Sequence, residues 1–217
     1  MQTLNLGRRD GAPLTILCLG AHADDIEIGA GGAIITLLDR YPGAHVRWVV
    51  FSATSERGDE ARCSAGDFLA AAGWSSITVH SFRDGFFPSE LPYVKDAFES
   101  LKEIFQPNLI FTHHRADHHQ DHRIIAELTW NTYRDHLVLE YEIPKYDPDM
   151  GNPNLFVPLQ PGHAEAKVRA LMTHFASQRQ RRWFAPENFY ALMRLRGMQA
   201  AAPSGLAEGF YAPKLCL

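Results

Sequence analysis

The stretch LTILCLGAHADDIEIGAGG, residues 14–32, decides the fold of this chain. Its first six residues form an apolar run that ends at Gly20, and this pattern predicts a strand buried on both faces. From Ile26 to Arg40 apolar residues recur at roughly helical spacing, and glycines among them allow a helix to pack closely against a sheet. The stretch therefore predicts a strand, a loop and a helix in direct succession.

The alternation of apolar strands with helices continues along the chain. Further strands are predicted at Val46–Thr54, Ile77–Phe82, Asn108–His113 and Leu137–Ile143, and helices at Asp59–Ala72, Tyr93–Phe105, His163–Phe175 and Glu187–Arg196. A loop rich in Pro, Asp and Asn covers residues 144–161, and the segment 210–217 is predicted to add an edge strand. This alternation is typical of βαβ units, so the fold class is α/β, a mainly parallel sheet with helices on both faces. Because no stretch has the composition of a linker, we expect one domain over residues 1–217.

Composition and charge exclude several classes of protein. The 217 residues include 21 Lys and Arg against 25 Asp and Glu, a net charge of -4, which argues against a nucleic-acid-binding surface. No apolar stretch approaches the roughly 18 residues of a membrane span, and the N-terminal residues do not resemble a secretory signal. The three cysteines, at positions 18, 63 and 216, form no CxxC pair, which favours a reducing compartment. We therefore expect a cytoplasmic protein without a transmembrane segment.

Two polar clusters follow predicted strands. Residues 21–27, AHADDIE, come directly after the first strand, and residues 118–122, HHQDH, come a few positions after the strand that ends near His113. The second cluster is part of a histidine-rich tract that holds five of the 11 histidines within ten residues. Ligands in open α/β sheets bind beyond the carboxyl ends of the strands. We therefore expect both clusters to meet at one end of the sheet.

The residue types in these clusters are typical of a catalytic metal site. His22, Asp25 and His122 would supply two imidazoles and one carboxylate, a donor set that leaves positions for water, as catalytic zinc sites do. Asp24 is the candidate general base beside such a site. His119 is the candidate group for stabilising an oxyanion or protonating a leaving group, with Asp121 orienting its ring.

Less specific interpretations exist for each cluster. Carboxylates after a strand also cap helix N-termini, and a histidine-rich tract can be an exposed loop or an adventitious metal binder. A dinucleotide-binding loop is excluded, because GAHADDIEIGAGG is not GxGxxG and its two carboxylates would repel a pyrophosphate. The two clusters at the functional end of one sheet favour the metal site.

The two clusters resemble the signatures of a known family. AHADDIE at 21–27 resembles [AP]-H-P-D-D-x-E, and HQDH at 119–122 resembles H-P-D-H, of the LmbE-like (PIG-L) zinc-dependent de-N-acetylases. These enzymes remove acetyl from N-acetylglucosamine units in glycolipids, thiol-sugar conjugates and antibiotic precursors. The segment SGLAEGFY at 204–211 is similar to a late A-E-A-F segment of the family. Ala23 and Gln120 replace the two signature prolines, which leaves every proposed ligand and base in place.

The resemblance implies a Rossmann-like fold and a role for each matched residue. Metal binding falls to His22, Asp25 and His122, base catalysis to Asp24, and transition-state stabilisation to His119. The segment 54–62 is loosely similar to a T-x-G-E stretch of the family. In that segment Arg57 is a candidate for gripping a phosphate or carboxylate of the substrate, the alternative being a solvated charged face. Asp84 is a candidate for holding sugar hydroxyls, although turn chemistry alone also explains an Asp-Gly pair.

The hypothesis from sequence is a metal-dependent amide hydrolase. It would release acetate from an N-acetylglucosamine-type conjugate or glycolipid by means of a metal-activated water, with one Zn²⁺ per chain, other divalent ions being possible. A homo-oligomer is compatible with the family resemblance. Two alternatives are a non-haem iron enzyme, which also uses two histidines and a carboxylate, and a catalytically silent sugar- or metal-binding homologue. The presence of Asp24 beside the ligand set argues against the silent homologue.

Overall fold

The computed structural model describes residues 4–7 and 10–215. Its strands are β1 (Thr15–His22), β2 (His45–Ser52), β3 (Trp74–Val79), β4 (Leu109–His113), β5 (Leu137–Tyr141), β6 (Leu155–Pro158) and β7 (Ala207–Tyr211). Its α-helices are α1 (Asp25–Arg40), α2 (Ser55–Phe68), α3 (Phe87–Ile104), α4 (Gln120–Thr132), α5 (Pro161–His174) and α6 (Pro186–Gln199). Among these helices none is long and apolar enough to cross a membrane.

The strands form one sheet in the order β3-β2-β1-β4-β5-β7-β6. The first five in this order pair in parallel, and β7 is antiparallel to both β5 and β6. The chain moves outward from β1 to β3, then returns and places β4 on the other side of β1. This reversal between β1 and β4 is a topological switch point, where open α/β sheets form their ligand sites.

Each face of the sheet carries its own hydrophobic core. Residues of α1, α2, α5 and α6 pack on one face, and residues of α3 and α4 pack on the other. On the first face Glu208 of β7 accepts hydrogen bonds from the amides of Gly32 and Ala33 in α1. It also forms a buried ion pair with Lys167 of α5. These contacts link β7 to α1 and α5.

The predicted fold class is confirmed, and the prediction for the last strand is wrong. A mainly parallel sheet with helices on both faces is present, as the strand–helix alternation indicated. Of the segment 210–217, residues 210 and 211 end β7, which lies between β5 and β6, residues 212–215 form no strand, and residues 216 and 217 lie outside the described part of the chain. The edge on this side of the sheet is β6, a four-residue strand within residues 144–161, for which the sequence predicts a loop. Cys18 is buried and Cys63 is exposed, both as free thiols, whereas Cys216 lies outside the described residues.

Gly29 of α1 lies where the helix comes closest to the sheet. A Cβ atom at this position would lie 2.1 Å from Cδ2 of Tyr141. The Tyr141 ring is held because its hydroxyl donates to the carbonyl of Leu19 at 2.6 Å. We expect Gly29→Ala to destabilise the protein by about 1–3 kcal/mol through overpacking, measured by urea denaturation.

Gly66 of α2 is the matched control for Gly29. A Cβ atom there would meet nothing within 4 Å. Since alanine restricts the unfolded chain, Gly66→Ala should be neutral or stabilising by up to about 1 kcal/mol. Equal effects at both positions would contradict close helix–sheet contact at Gly29.

Candidate metal centre

The two polar clusters lie at the same end of the sheet, on adjacent strands. The first occupies the turn from β1 to α1, with His22 as the last residue of β1. The second occupies the turn from β4 to α4, with His119 at the N-cap of α4 and His122 in its first turn. Because β1 and β4 are parallel neighbours, both turns project from the switch point. The juxtaposition expected from the sequence is present.

Three side-chain atoms form a compact triangle at this switch point. Nδ1 of His22 lies 3.3 Å from Oδ2 of Asp25 and 3.2 Å from Nε2 of His122. Nε2 of His122 lies 3.5 Å from the same Asp25 oxygen. Ligand atoms about 2.0–2.1 Å from a tetrahedral zinc ion are separated by about 3.3–3.4 Å. The three atoms therefore have the spacing of ligands that share one cation.

In both histidines of the triangle, the second ring nitrogen, which points away from the triangle and is called the outer nitrogen here, contacts a carboxylate. Nε2 of His22 lies 3.3 Å from Oδ2 of Asp121 and 3.1 Å from Oδ1 of Asp84. Nδ1 of His122 lies 3.0 Å from Oδ2 of Asp117. A carboxylate at the outer nitrogen draws the ring proton to that side and leaves the inner nitrogen with a free lone pair. Both rings are thus oriented as metal ligands require.

The surroundings of His22 favour a positive charge. Burial alone would lower the pKa of His22, but the carboxylates of Asp25, Asp121 and Asp84 raise it well above its ordinary value. Such a gathering of carboxylates, of which Asp25 and Asp121 are buried, is costly unless a cation or proton balances it. A divalent cation inside the triangle would supply that charge, so the residues present fit a metal ion.

Asp25 is fixed as an ionised carboxylate. Its Oδ2 accepts the backbone N–H of His22 at 2.6 Å and lies 3.2 Å from Nε2 of His113. Burial alone would raise the pKa of Asp25, but the imidazoles of His122, His113 and His22 hold it well below its usual range. Nε2 of His113 also accepts the amide of Ala21 at 2.9 Å, so its lone pair is in use. Because this nitrogen accepts a hydrogen bond, it has no proton to donate to Asp25, and the approach of His113 to Asp25 is a contact without a hydrogen bond.

Asp24 does not act as a helix cap. It is the N-cap residue of α1, yet its side chain makes no capping hydrogen bond. Its Oδ1 accepts from Nη2 of Arg57 at 2.8 Å, and Oδ2 is buried without a hydrogen-bond partner among the described residues. Burial raises the pKa of Asp24, and the Arg57 guanidinium offsets only part of that effect. A carboxylate with one fixed oxygen and one free oxygen is suited to accept a proton.

His119 faces the triangle from the α4 side. Its ring centroid lies 4.9 Å from that of His22 and 4.5 Å from that of His122. Nδ1 accepts the amide of Asp121 at 3.3 Å, so the neutral ring carries its proton on Nε2. Burial and the neighbouring His22 lower the pKa of His119, which favours that neutral form. His119 is therefore a hydrogen-bond donor beside the candidate metal position.

The structure places the Asp121 carboxylate differently from the expectation. Its Oδ2 accepts the amide of Gly85 at 2.7 Å and its Oδ1 that of Phe87 at 3.2 Å, while the same Oδ2 faces His22. Gly85 has φ +77°, a conformation that glycine adopts without strain and that turns its amide toward Asp121. Asp121 thus orients His22 with its side chain, and its contact with His119 is through its backbone amide.

The predicted substrate residues lie at the rim of the centre. The Asp84 side chain is 65% exposed and reaches His22, whereas Arg57 is mostly covered and engages Asp24. The sequence does not indicate that Asp84 contacts His22 or that Arg57 contacts Asp24. Sequence reasoning also missed Asp117, His113 and Lys145, which contact ligands or their supports. The signal in the sequence for Asp117 is that it is an acidic residue within the histidine-rich tract at 113–122.

Comparison with known proteins places these motifs in a family. The family model described as GlcNAc-PI de-N-acetylase (PIG-L) matches residues 17–133, more than half of the chain and all the site residues above except Lys145. The chain belongs to this family. The uncharacterized deacetylase YaiS of Escherichia coli K12 is 27% identical over 175 residues, covering 73% of this chain and 89% of that protein. The prediction of a deacetylase-type hydrolase of the PIG-L family is confirmed by these relationships.

Solved structures share the fold of this PIG-L family member. N,N'-diacetylchitobiose deacetylase from Pyrococcus horikoshii has a TM-score of 0.66 at 22% identity, covering 90% of this chain and 82% of that chain. GalB, the 4-carboxy-2-hydroxymuconate hydratase from Pseudomonas putida KT2440, has a TM-score of 0.75 at 18% identity, covering 94% and 98%. At these identities the likeness shows the Rossmann-like fold, and the chemistry has to be argued from the site.

Proposed function

We propose that this protein is a zinc-dependent hydrolase that removes the acetyl group from an N-acetylglucosamine-type conjugate. The metal ligands in this proposal are His22 Nδ1, Asp25 Oδ2 and His122 Nε2. The observation that supports it best is the triangle of these three atoms, with sides of 3.2–3.5 Å. When bound, the ion would act as a Lewis acid on the acetyl carbonyl and lower the pKa of a water molecule.

Asp24 is the proposed general base. Its free Oδ2 accepts the proton of the attacking water, while Arg57 keeps the other oxygen in place. A carboxylate whose pKa is raised by burial binds this proton more readily than an exposed one. The side chain is held between α1 and α2, so its orientation is set before the substrate binds.

His119 is the proposed hydrogen-bond donor to the acyl oxygen. The proton on Nε2 stabilises negative charge on the oxygen as water adds to the carbonyl carbon. The C–N bond then breaks, the nitrogen takes up the proton that Asp24 removed from the water and leaves as the free amine, and the acyl carbon leaves as acetate. Loss of one such donor typically costs about 100-fold or more in rate.

Arg57 and Asp84 are the proposed contacts to the rest of the substrate. The exposed carboxylate of Asp84 can accept hydrogen bonds from sugar hydroxyls at the rim, and it also orients His22. The Arg57 side chain is 19% exposed, so its guanidinium can also donate to an anionic or polar substrate group. A homo-oligomer and a cytoplasmic location remain predictions from the sequence.

Acetate release from a panel of N-acetylglucosamine conjugates tests the proposed function. We expect release by the zinc-loaded protein, loss of release after a chelator removes the metal, and recovery on adding Zn²⁺ back. Iron added anaerobically and an oxygen-uptake assay address the non-haem iron alternative. Activity that survives complete metal removal would contradict the proposal. It would also be contradicted if the protein released no acetate from any conjugate but hydrated an unsaturated carboxylate, the reaction type named for GalB.

A further inference from the structure

Asp117 is a buried carboxylate that belongs to neither motif. It lies in the turn between β4 and α4, and 4% of the residue is exposed. Its Oδ2 contacts Nδ1 of His122 at 3.0 Å. Its Oδ1 accepts the backbone N–H of His119 at 2.7 Å. One carboxylate therefore holds the ring of a proposed ligand and the backbone of the proposed hydrogen-bond donor.

The contact with His122 sets the tautomer of that ring. Because the Asp117 oxygen only accepts hydrogen bonds, the ring proton stays on Nδ1 and the lone pair stays on Nε2. Nε2 is the atom that faces Asp25 and His22 in the triangle. The same contact makes the imidazole a stronger donor to a cation.

A lysine from the segment after β5 holds Asp117 in place. Nζ of Lys145 lies 3.0 Å from the Asp117 oxygen that contacts His122, and the Lys145 side chain is 11% exposed. Lys145 is also paired with Asp149, whose Oδ2 accepts the amide of His118 at 2.8 Å. Arg123 donates to the backbone carbonyls of Asp117 and His118. The turn that carries Asp117 is thus fixed from α4 and from the segment that follows β5.

We infer that Asp117, braced by Lys145, is a positioning residue that orients both His122 and His119 toward the metal. The inference rests on the proposed metal centre and adds two residues to it, one of which lies outside the residues matched by the family model. It predicts that metal affinity depends on a side chain that never touches the ion. Residues that hydrogen-bond to a metal ligand without binding the metal typically contribute about 10–100-fold to metal affinity or activity.

Metal affinity of the Asp117→Asn variant tests the inference. Zn²⁺ dissociation constants would be measured by competition with a chromophoric chelator, and the visible spectrum of the Co²⁺-loaded protein would report ligand geometry. We expect about 10–100-fold weaker Zn²⁺ binding and an altered Co²⁺ spectrum. Lys145→Gln should also weaken Zn²⁺ binding, by a smaller factor. Because this variant retains the Asp117 carboxylate, it still tests the inference if Asp117→Asn fails to fold.

Glu140→Gln is the matched control. Glu140 is also a buried carboxylate on a histidine Nδ1, that of His114 at 2.7 Å, but His114 is not a proposed ligand. This variant should keep wild-type Zn²⁺ affinity. Wild-type affinity in both Asp117→Asn and Lys145→Gln would overturn the inference and leave the metal centre standing. Absence of specific Zn²⁺ binding in the unmodified protein would instead overturn the proposed function on which the inference depends.

Discussion

The Asp24→Asn variant is expected to keep its metal ion and lose most of its turnover. Asparagine preserves the size of the side chain and an oxygen for Arg57, which lies 2.8 Å from the carboxylate. The amide cannot accept the proton that the proposed base removes from water. Positioned acid–base groups contribute about 10²–10⁴-fold, so we expect kcat for acetate release to fall by about that factor. Metal content, measured by mass spectrometry, should stay at the wild-type level.

The control for Asp24 is another carboxylate that pairs with an arginine outside the centre. Asp59 in α2 is exposed and contacts Arg62 at 3.4 Å, so Asp59→Asn should leave turnover unchanged. Near-wild-type turnover in Asp24→Asn would remove Asp24 from the role of base. Parallel loss of metal and turnover would contradict a role confined to proton transfer.

The His122→Ala variant is expected to lose both metal and activity. Removing one of three protein ligands leaves two donors and exposes Asp25 and Asp117 to each other's charge without the imidazole between them. The loss of Zn²⁺ affinity should exceed the roughly 10–100-fold loss that is typical when a residue supporting a metal ligand, such as Asp117, is replaced. Acetate release should fall to background, and excess Zn²⁺ should restore little of it.

His114→Ala tests whether the effect is specific to His122. His114 belongs to the same histidine-rich tract, but its ring stacks on Tyr211 and its Nδ1 contacts Glu140. We expect this variant to bind Zn²⁺ normally. If His122→Ala retained one tightly bound Zn²⁺ per chain, the proposed ligand set would be wrong, and His119 would be the next candidate because it also lies within ligand distance of His22.

Strong periodic patterns made most of the fold predictable from the sequence. The apolar run before Gly20 and the helix after it match β1 and α1 closely, since burial on both faces leaves a continuous hydrophobic signal. The antiparallel pair was harder to predict. Four-residue β6 has no clear alternation of its own, and the position of β7 depends on pairing with residues far away in sequence, such as Glu140 with Tyr211 and Pro158 with Ala207.

The site was predictable where chemistry is concentrated in short motifs. His22, Asp24 and Asp25 share one turn, and His119, Asp121 and His122 share another, so their meeting needed only the parallel order of β1 and β4. The partners of these side chains were not predictable in the same way. The contact of Asp121 with His22 depends on the turn at Gly85, and the approach of Lys145 to Asp117 depends on an irregular segment without a periodic pattern.

The placement of β7 between β5 and β6 has a consequence for how the protein is made. Among the described strands β7 is the last to be synthesised, yet it lies between two strands that are made before it. Until residues 207–211 emerge, β5 and β6 have no neighbour at that position, and the amine of Lys167 lacks the carboxylate of Glu208. A nascent chain therefore carries open strand edges, which are sites of misassociation, until residues 207–211 have been made.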